Sequence, residues 1–178
     1  MRRQSIQKAV RIALFAAIIT ISSMITVPFA VPFTLQILAI SVALMTLGGA
    51  EGALAVAVYV SLGLLGLPVF AGFGSGVGYL LGASGGFVIG FLLGSICYFL
   101  LEKVFKISDR KRIVYAFVSL FVIYTVGTLW FTFVYSSGKT FFAALLVCTA
   151  PYVIPDTVKI FVASIISKRL RSAVNIRG

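Results

Sequence analysis

Ser84–Leu101 reads SGGFVIGFLLGSICYFLL, eighteen residues without a charge, and five basic residues follow it between Lys103 and Arg112. A helix needs about 20 apolar residues to cross the hydrocarbon core of a bilayer, and Lys and Arg gather on the cytoplasmic flank of such spans. The stretch therefore predicts a transmembrane helix whose C-terminal end lies inside. Gly82, Gly86, Gly90 and Gly94 recur every four residues through it, a spacing that lets a neighbouring helix approach closely.

The same pattern extends along the chain. Of 178 residues, 61% are hydrophobic and 11% charged, against about half and a quarter in soluble domains. The net charge of +11 comes from fifteen Lys and Arg, thirteen of them in three clusters: Arg2 to Arg11, Lys103 to Arg112 and Lys168 to Arg177. Clusters separated by long uncharged stretches follow the positive-inside rule rather than forming a nucleic-acid surface. Cutting at turn residues and charges predicts further helices at about Ala9–Val27, Leu35–Leu47, Gly52–Leu67, Ile113–Tyr135 and Pro155–Leu170, the last opened by a proline at its first position. Pro68–Gly82 reads as a glycine-rich loop, and Phe141–Thr149 is too short to span. The expectation is one all-α transmembrane domain over residues 1–178, with six spans, both termini cytoplasmic and long, nearly uncharged outer loops.

Several other classes are set aside. The apolar run from Ile12 is too long for a secretory signal and reads as a retained first helix. Cys97 and Cys148 stand far apart and the chain has no His, which argues against a disulfide framework, a metal site and a haem site. The alternate glycines of 72–78 match no phosphate-binding fingerprint, and Ser137-Gly138-Lys139-Thr140 lacks the first glycine of a Walker motif. No cofactor is expected, and an intramembrane enzyme would need a nucleophile with a base or a metal set.

Among four acids, Glu51, Glu102 and Asp109 fall at predicted cytoplasmic ends, within reach of water. Asp156 differs: it begins the last span, and Lys159 three residues on projects from the same face. A pair there is costly unless its members find partners or face a cavity. It is either a salt bridge pinning the helix end or a ligand site, with Lys159 meeting an anionic group and Asp156 accepting from N–H donors. Gln36, the only amide side chain between Gln7 and Asn175, is either an interhelical hydrogen bond or a ligand contact. Ala9, Ala13 and Ala17 repeat every four residues in the first helix and suit internal packing or docking onto another membrane protein.

Taken together, Val31-Pro32-Phe33-Thr34-Leu35-Gln36, Gly66-Leu67-Pro68-Val69-Phe70-Ala71-Gly72, Gly85-Gly86-Phe87 and Pro155-Asp156-Thr157-Val158-Lys159 resemble the BioY family, the biotin-specific substrate-binding subunits (S-components) of energy-coupling factor transporters. The resemblance implies a six-helix protein of the cell membrane, with no catalysis of its own. It would take biotin from outside and dock on a transmembrane coupling subunit that carries two ATPases, through Ala9, Ala13 and Ala17. It further implies that Lys159 meets the biotin carboxylate or ureido oxygen and that Asp156 accepts from the ureido N–H groups. Gln36, Thr34 and Ser75 would add polar contacts, and Phe33, Phe73 and Tyr79 would wall the apolar part. Two departures touch the loops: Gly82-Ala83-Ser84 stands where such proteins often show Gly-Pro-Thr, and Ile154-Pro155 precedes Asp156 where a proline and glycine often precede the aspartate. Another small anionic vitamin is the alternative substrate, and a purely structural subunit is the rival from outside transport.

Overall fold

The computed structural model describes residues 2–28, 31–105, 107–135 and 140–174; Ser137, Gly138 and Lys139 of the Walker look-alike, and residues 29–30 of the first outer connection, lie outside them. Eight α-helices follow one another among these residues: α1 (Arg2–Met24), α2 (Gln36–Leu47), α3 (Gly49–Leu64), α4 (Gly76–Leu80), α5 (Gly85–Val104), α6 (Asp109–Trp130), α7 (Phe141–Cys148) and α8 (Ala150–Val174). A π-helical turn, Phe131–Tyr135, extends α6. Four of the helices, α1, α5, α6 with its extension, and α8, are long and apolar enough to cross a membrane.

The two remaining apolar helices are shorter. At 1.5 Å per residue, the 12 residues of α2 and the 16 of α3 reach roughly 18 and 24 Å, below the ~30 Å of a hydrocarbon core. α2 is the centre of the molecule: Gln36, Ile37 and every residue from Ala39 to Thr46 are buried, as befits a helix that is apolar all round. It packs on α8, α3 and α1, while α5 and α6 form the most extensive helix pair.

Several boundaries differ from the sequence expectation. The first helix spans Arg2–Met24, because Thr26 and Val27 leave it to pair antiparallel with Thr34 and Phe33 as strands β1 and β2. The third helix runs Gly49–Leu64 rather than Gly52–Leu67. Pro68–Gly82 is not all loop, for it holds a 3-10 turn at Ala71–Phe73 and the short α4. The last span begins at Ala150, with Pro155 inside it rather than at its first position. A proline there removes only the bond from its own nitrogen to the Pro151 carbonyl, one turn from the helix start and next to Asp156. Nor do all acids of the basic end face water: the side chains of Glu51 and Glu102 are 18% and 11% exposed, in ion pairs with Arg11 and Arg112.

The glycine ladder is real but shorter than its spacing suggests. Positions 86, 90 and 94 lie against Trp130, Ile123 and Ser119 of α6. Gly82 precedes α5 in a turn and faces only the Tyr79 carbonyl.

Candidate functional site

A cavity opens where β2, the N-terminal end of α2, α4 and the start of α5 meet the middle of α6 and the first turns of α8. It holds about 530 Å³ free of protein atoms, counting the part open to solvent, and its wall includes Phe33, Thr34, Gln36, Tyr79, Asp156 and Lys159. Residues 125 positions apart thus share one wall, because the β1–β2 hairpin folds its second strand over α8.

The polar centre is the Asp156–Lys159 pair. Both are buried, 4% and 8% exposed, and Lys159 Nζ donates to Asp156 Oδ1 at 2.7 Å and to the Thr34 carbonyl at 2.7 Å. The same ammonium sits 3.8 Å from the centre of the Phe33 ring, close enough for a cation–π contact. Asp156 Oδ2 accepts from the Tyr124 hydroxyl at 2.7 Å. A buried ion pair stands only with further hydrogen bonds around it, and here α6 and the hairpin supply them. The carboxylate keeps lone pairs for other donors, and one of the ammonium's three N–H groups lies beyond these two bonds.

Gln36 is fixed on both sides of its amide. Its Nε2 donates to the Tyr59 hydroxyl at 2.6 Å, and its Oε1 accepts from Thr34 Oγ1 at 2.8 Å. The interhelical bond is therefore present, and the residue also lines the cavity. Tyr79 closes the opposite wall, stacked on Phe70 at 5.0 Å between ring centres. It lies so near the backbone that a Cβ at Gly74 would come within 2.2 Å of its ring. Burial pushes the Tyr79 phenol above its ordinary pKa, which keeps it a neutral hydroxyl.

Phe73 and Ser75 are not brought to this wall. Gly72 and Phe73 both take left-handed backbone, φ +67° and +60°, and the turn leaves Phe73 66% exposed. Ser75 precedes α4 half-buried and away from the cavity. Residues not named as contacts from the sequence fill the wall instead: Tyr124, Tyr152, Ser84 and Phe91, with Phe87 of the quoted Gly85-Gly86-Phe87 motif. Tyr152 stacks on Phe33 at 6.1 Å and donates to the Val31 carbonyl, holding the hairpin to α8. Tyr124 was visible as a hydroxyl within an apolar span, and Tyr152 lay in a segment whose helix was not recognised.

Away from the cavity, Ala9, Ala13 and Ala17 are all exposed on α1, whose buried residues are Phe15, Ala16, Ile19 and Ser23. Internal packing therefore does not account for them.

Comparison with known proteins places this arrangement. The model of the BioY family matches residues 1–176. A probable biotin transporter BioY of Pyrococcus horikoshii is 34% identical over 161 residues, covering 90% of this chain and 93% of its own length. The biotin transporter BioY of Thermotoga maritima is 35% identical over 166 residues, covering 93% and 96%. Among solved structures, the crystal structure of the S-component for biotin from an ECF-type ABC transporter matches with a TM-score of 0.85 at 25% identity, over 97% of this chain and 94% of that one.

Proposed function

The chain belongs to the BioY family, and from that premise we propose that it is the biotin-capturing membrane subunit of an energy-coupling factor transporter and not an enzyme. The observation that carries the reading is the buried Asp156–Lys159 pair on the wall of a mostly apolar cavity. Biotin offers a carboxylate, a ureido group with two N–H donors and one oxygen, and an apolar bicycle with a valeryl chain. Lys159 takes the carboxylate or the ureido oxygen, and Asp156 accepts from the ureido N–H groups. Gln36 and Thr34 add polar contacts, Phe33 and Tyr79 enclose the apolar part, and Phe73 and Ser75 are left out because they stand off the wall.

In this reading the protein is one domain of the cell membrane over residues 1–178. The helices α2 and α3 complete six spans, and both termini and the α5–α6 connection are cytoplasmic. The geometry favours that orientation. Gln36 at the start of α2 lines the cavity, whereas the end of α2 receives Arg112 and Arg171 on the Met45 carbonyl, so the basic clusters and the cavity lie at opposite ends. The exposed alanines of α1 are the face that docks on a coupling subunit associated with two ATPases, where small side chains permit close helix approach.

Two experiments test these parts separately. Equilibrium binding on the detergent-purified chain is expected to show saturable biotin binding that lipoate, an anion without a ureido group, does not displace. Equal competition by lipoate would redirect the site to another anionic vitamin, and no binding by folded protein would sink the proposal. For docking, Ala13→Leu is expected to cut biotin uptake by cells expressing the full transporter about tenfold or more, with biotin affinity of the isolated chain within twofold. Unimpaired uptake would remove the α1 face from the interface.

A further inference from the structure

At the end of the bundle opposite the biotin cavity, a second cavity opens between the α2–α3 turn and the ends of α5 and α8. It holds about 890 Å³ free of protein atoms, counting the part open to solvent, and its wall carries Lys8, Lys103, Arg112 and Arg171 with Glu51 and Glu102. Both acids are already engaged. Glu51 takes the Arg11 guanidinium at 3.1–3.2 Å; Glu102 accepts from the Gly49 N–H and lies 3.5 Å from Arg112. Arg171 donates to Asp109 at 2.6 Å. Counting Arg11 and Asp109, five cations face three carboxylates here, and two positive charges are left over.

The surplus sits at the mouth. The Lys8 side chain is 62% exposed and reaches Glu51 only at 4.0 Å, and among the described residues Lys103 forms no ion pair. On the same wall the Thr46 hydroxyl is buried, the residue 3% exposed, with no hydrogen-bond partner among the described residues. Buried hydroxyls in folded proteins normally have one. Beside the mouth, Val104, Phe105 and Ile107 are 72%, 52% and 47% exposed, an apolar rim in contact with the basic one.

We propose that this second cavity binds the phosphate of an anionic phospholipid, with Lys8 and Lys103 meeting its charge, Thr46 donating to a phosphate oxygen and the rim of Val104, Phe105 and Ile107 lying along its acyl chains. A phosphate is an acceptor-only anion and suits a wall with surplus cations and an unused hydroxyl. Basic pockets at the ends of membrane helices are also where anionic headgroups are drawn. The apolar rim favours a lipid over free phosphate, which has no use for it.

The test is native mass spectrometry of the full chain in neutral detergent, given equal amounts of phosphatidylglycerol and phosphatidylcholine. One phosphatidylglycerol is expected to be retained in preference. Lys8→Glu with Lys103→Glu is expected to weaken that retention about tenfold or more. The same charge change at the exposed Lys168 and Arg169 is expected to weaken it less than threefold. Thr46→Val, nearly isosteric, is expected to weaken it severalfold while the protein elutes as the parent does on size exclusion. Equal losses in the two charge-reversal pairs, no preference for phosphatidylglycerol, or an unaffected Thr46→Val would each overturn the site. Displacement of the lipid by excess inorganic phosphate would overturn the lipid as its source.

Discussion

Asp156→Asn is expected to lower the affinity for biotin about a hundredfold or more. The substitution changes no heavy-atom count, but it removes the charge that Lys159 pairs with at 2.7 Å and that Tyr124 donates to at 2.7 Å. Truncating one partner of a buried, hydrogen-bonded charge pair in a binding site costs about 2–5 kcal/mol of binding, and every 1.4 kcal/mol is roughly a factor of ten in affinity. An amide also presents an NH₂ group of its own, so it cannot accept on both sides from the ureido donors. The effect is graded along the network: Tyr124→Phe deletes one hydrogen bond to a charged acceptor, about 1.5 kcal/mol or more, and should weaken binding about tenfold. Equilibrium dialysis with labelled biotin reads both variants, and thermal unfolding of the same samples separates lost affinity from lost fold. Binding by folded Asp156→Asn within threefold of the parent would remove the carboxylate from the ligand site and leave the pair as a helix pin.

Gly90→Leu should give a chain that inserts and folds but is destabilised where α5 packs on α6. A Cβ at this position already comes within 3.0 Å of the Ile123 backbone, both Cα and O, and backbone cannot rotate away as a side chain can. A leucine adds three more carbons to that contact. Overpacking a filled interface costs about 1–3 kcal/mol and sometimes more, a large share of ordinary stability. It would also part α5 from α6 beneath the cavity, whose wall takes Phe87, Phe91, Ile123 and Tyr124 from those two helices. The expected readouts are a fall in melting temperature of several degrees and loss of biotin binding. A variant with parental melting temperature and affinity would mean that the α5–α6 contact yields more easily than its geometry implies.

Membrane character was legible from the one-dimensional pattern alone, because the bilayer imposes a length and a charge rule that act on consecutive residues. Six spans were marked in that way, and four of them are helices long and apolar enough to cross. The wall of the cavity was legible in part, through residues that are chemically out of place in apolar sequence: Asp156, Lys159 and Gln36 announce themselves, since a buried polar group must find a partner. Phe33 and Thr34 came through a family motif, and Tyr79 through what the family resemblance implies. The same resemblance also brought in Phe73 and Ser75, neither of which lines the wall; left-handed backbone at Gly72 and Phe73 turns Phe73 outward.

What the sequence determined by itself was the solvent of this protein and the few side chains that solvent makes expensive, since both follow from local composition. Only the tertiary structure decided which apolar residues share a surface with them. Tyr124, Tyr152 and Phe91 look like any membrane aromatic until α5, α6 and α8 are packed together. The β1–β2 pairing is local, but the contact it sets up, Phe33 and Thr34 over Lys159, crosses most of the chain. Such contacts depend on how helices of fixed length fill space together, and no local pattern records that.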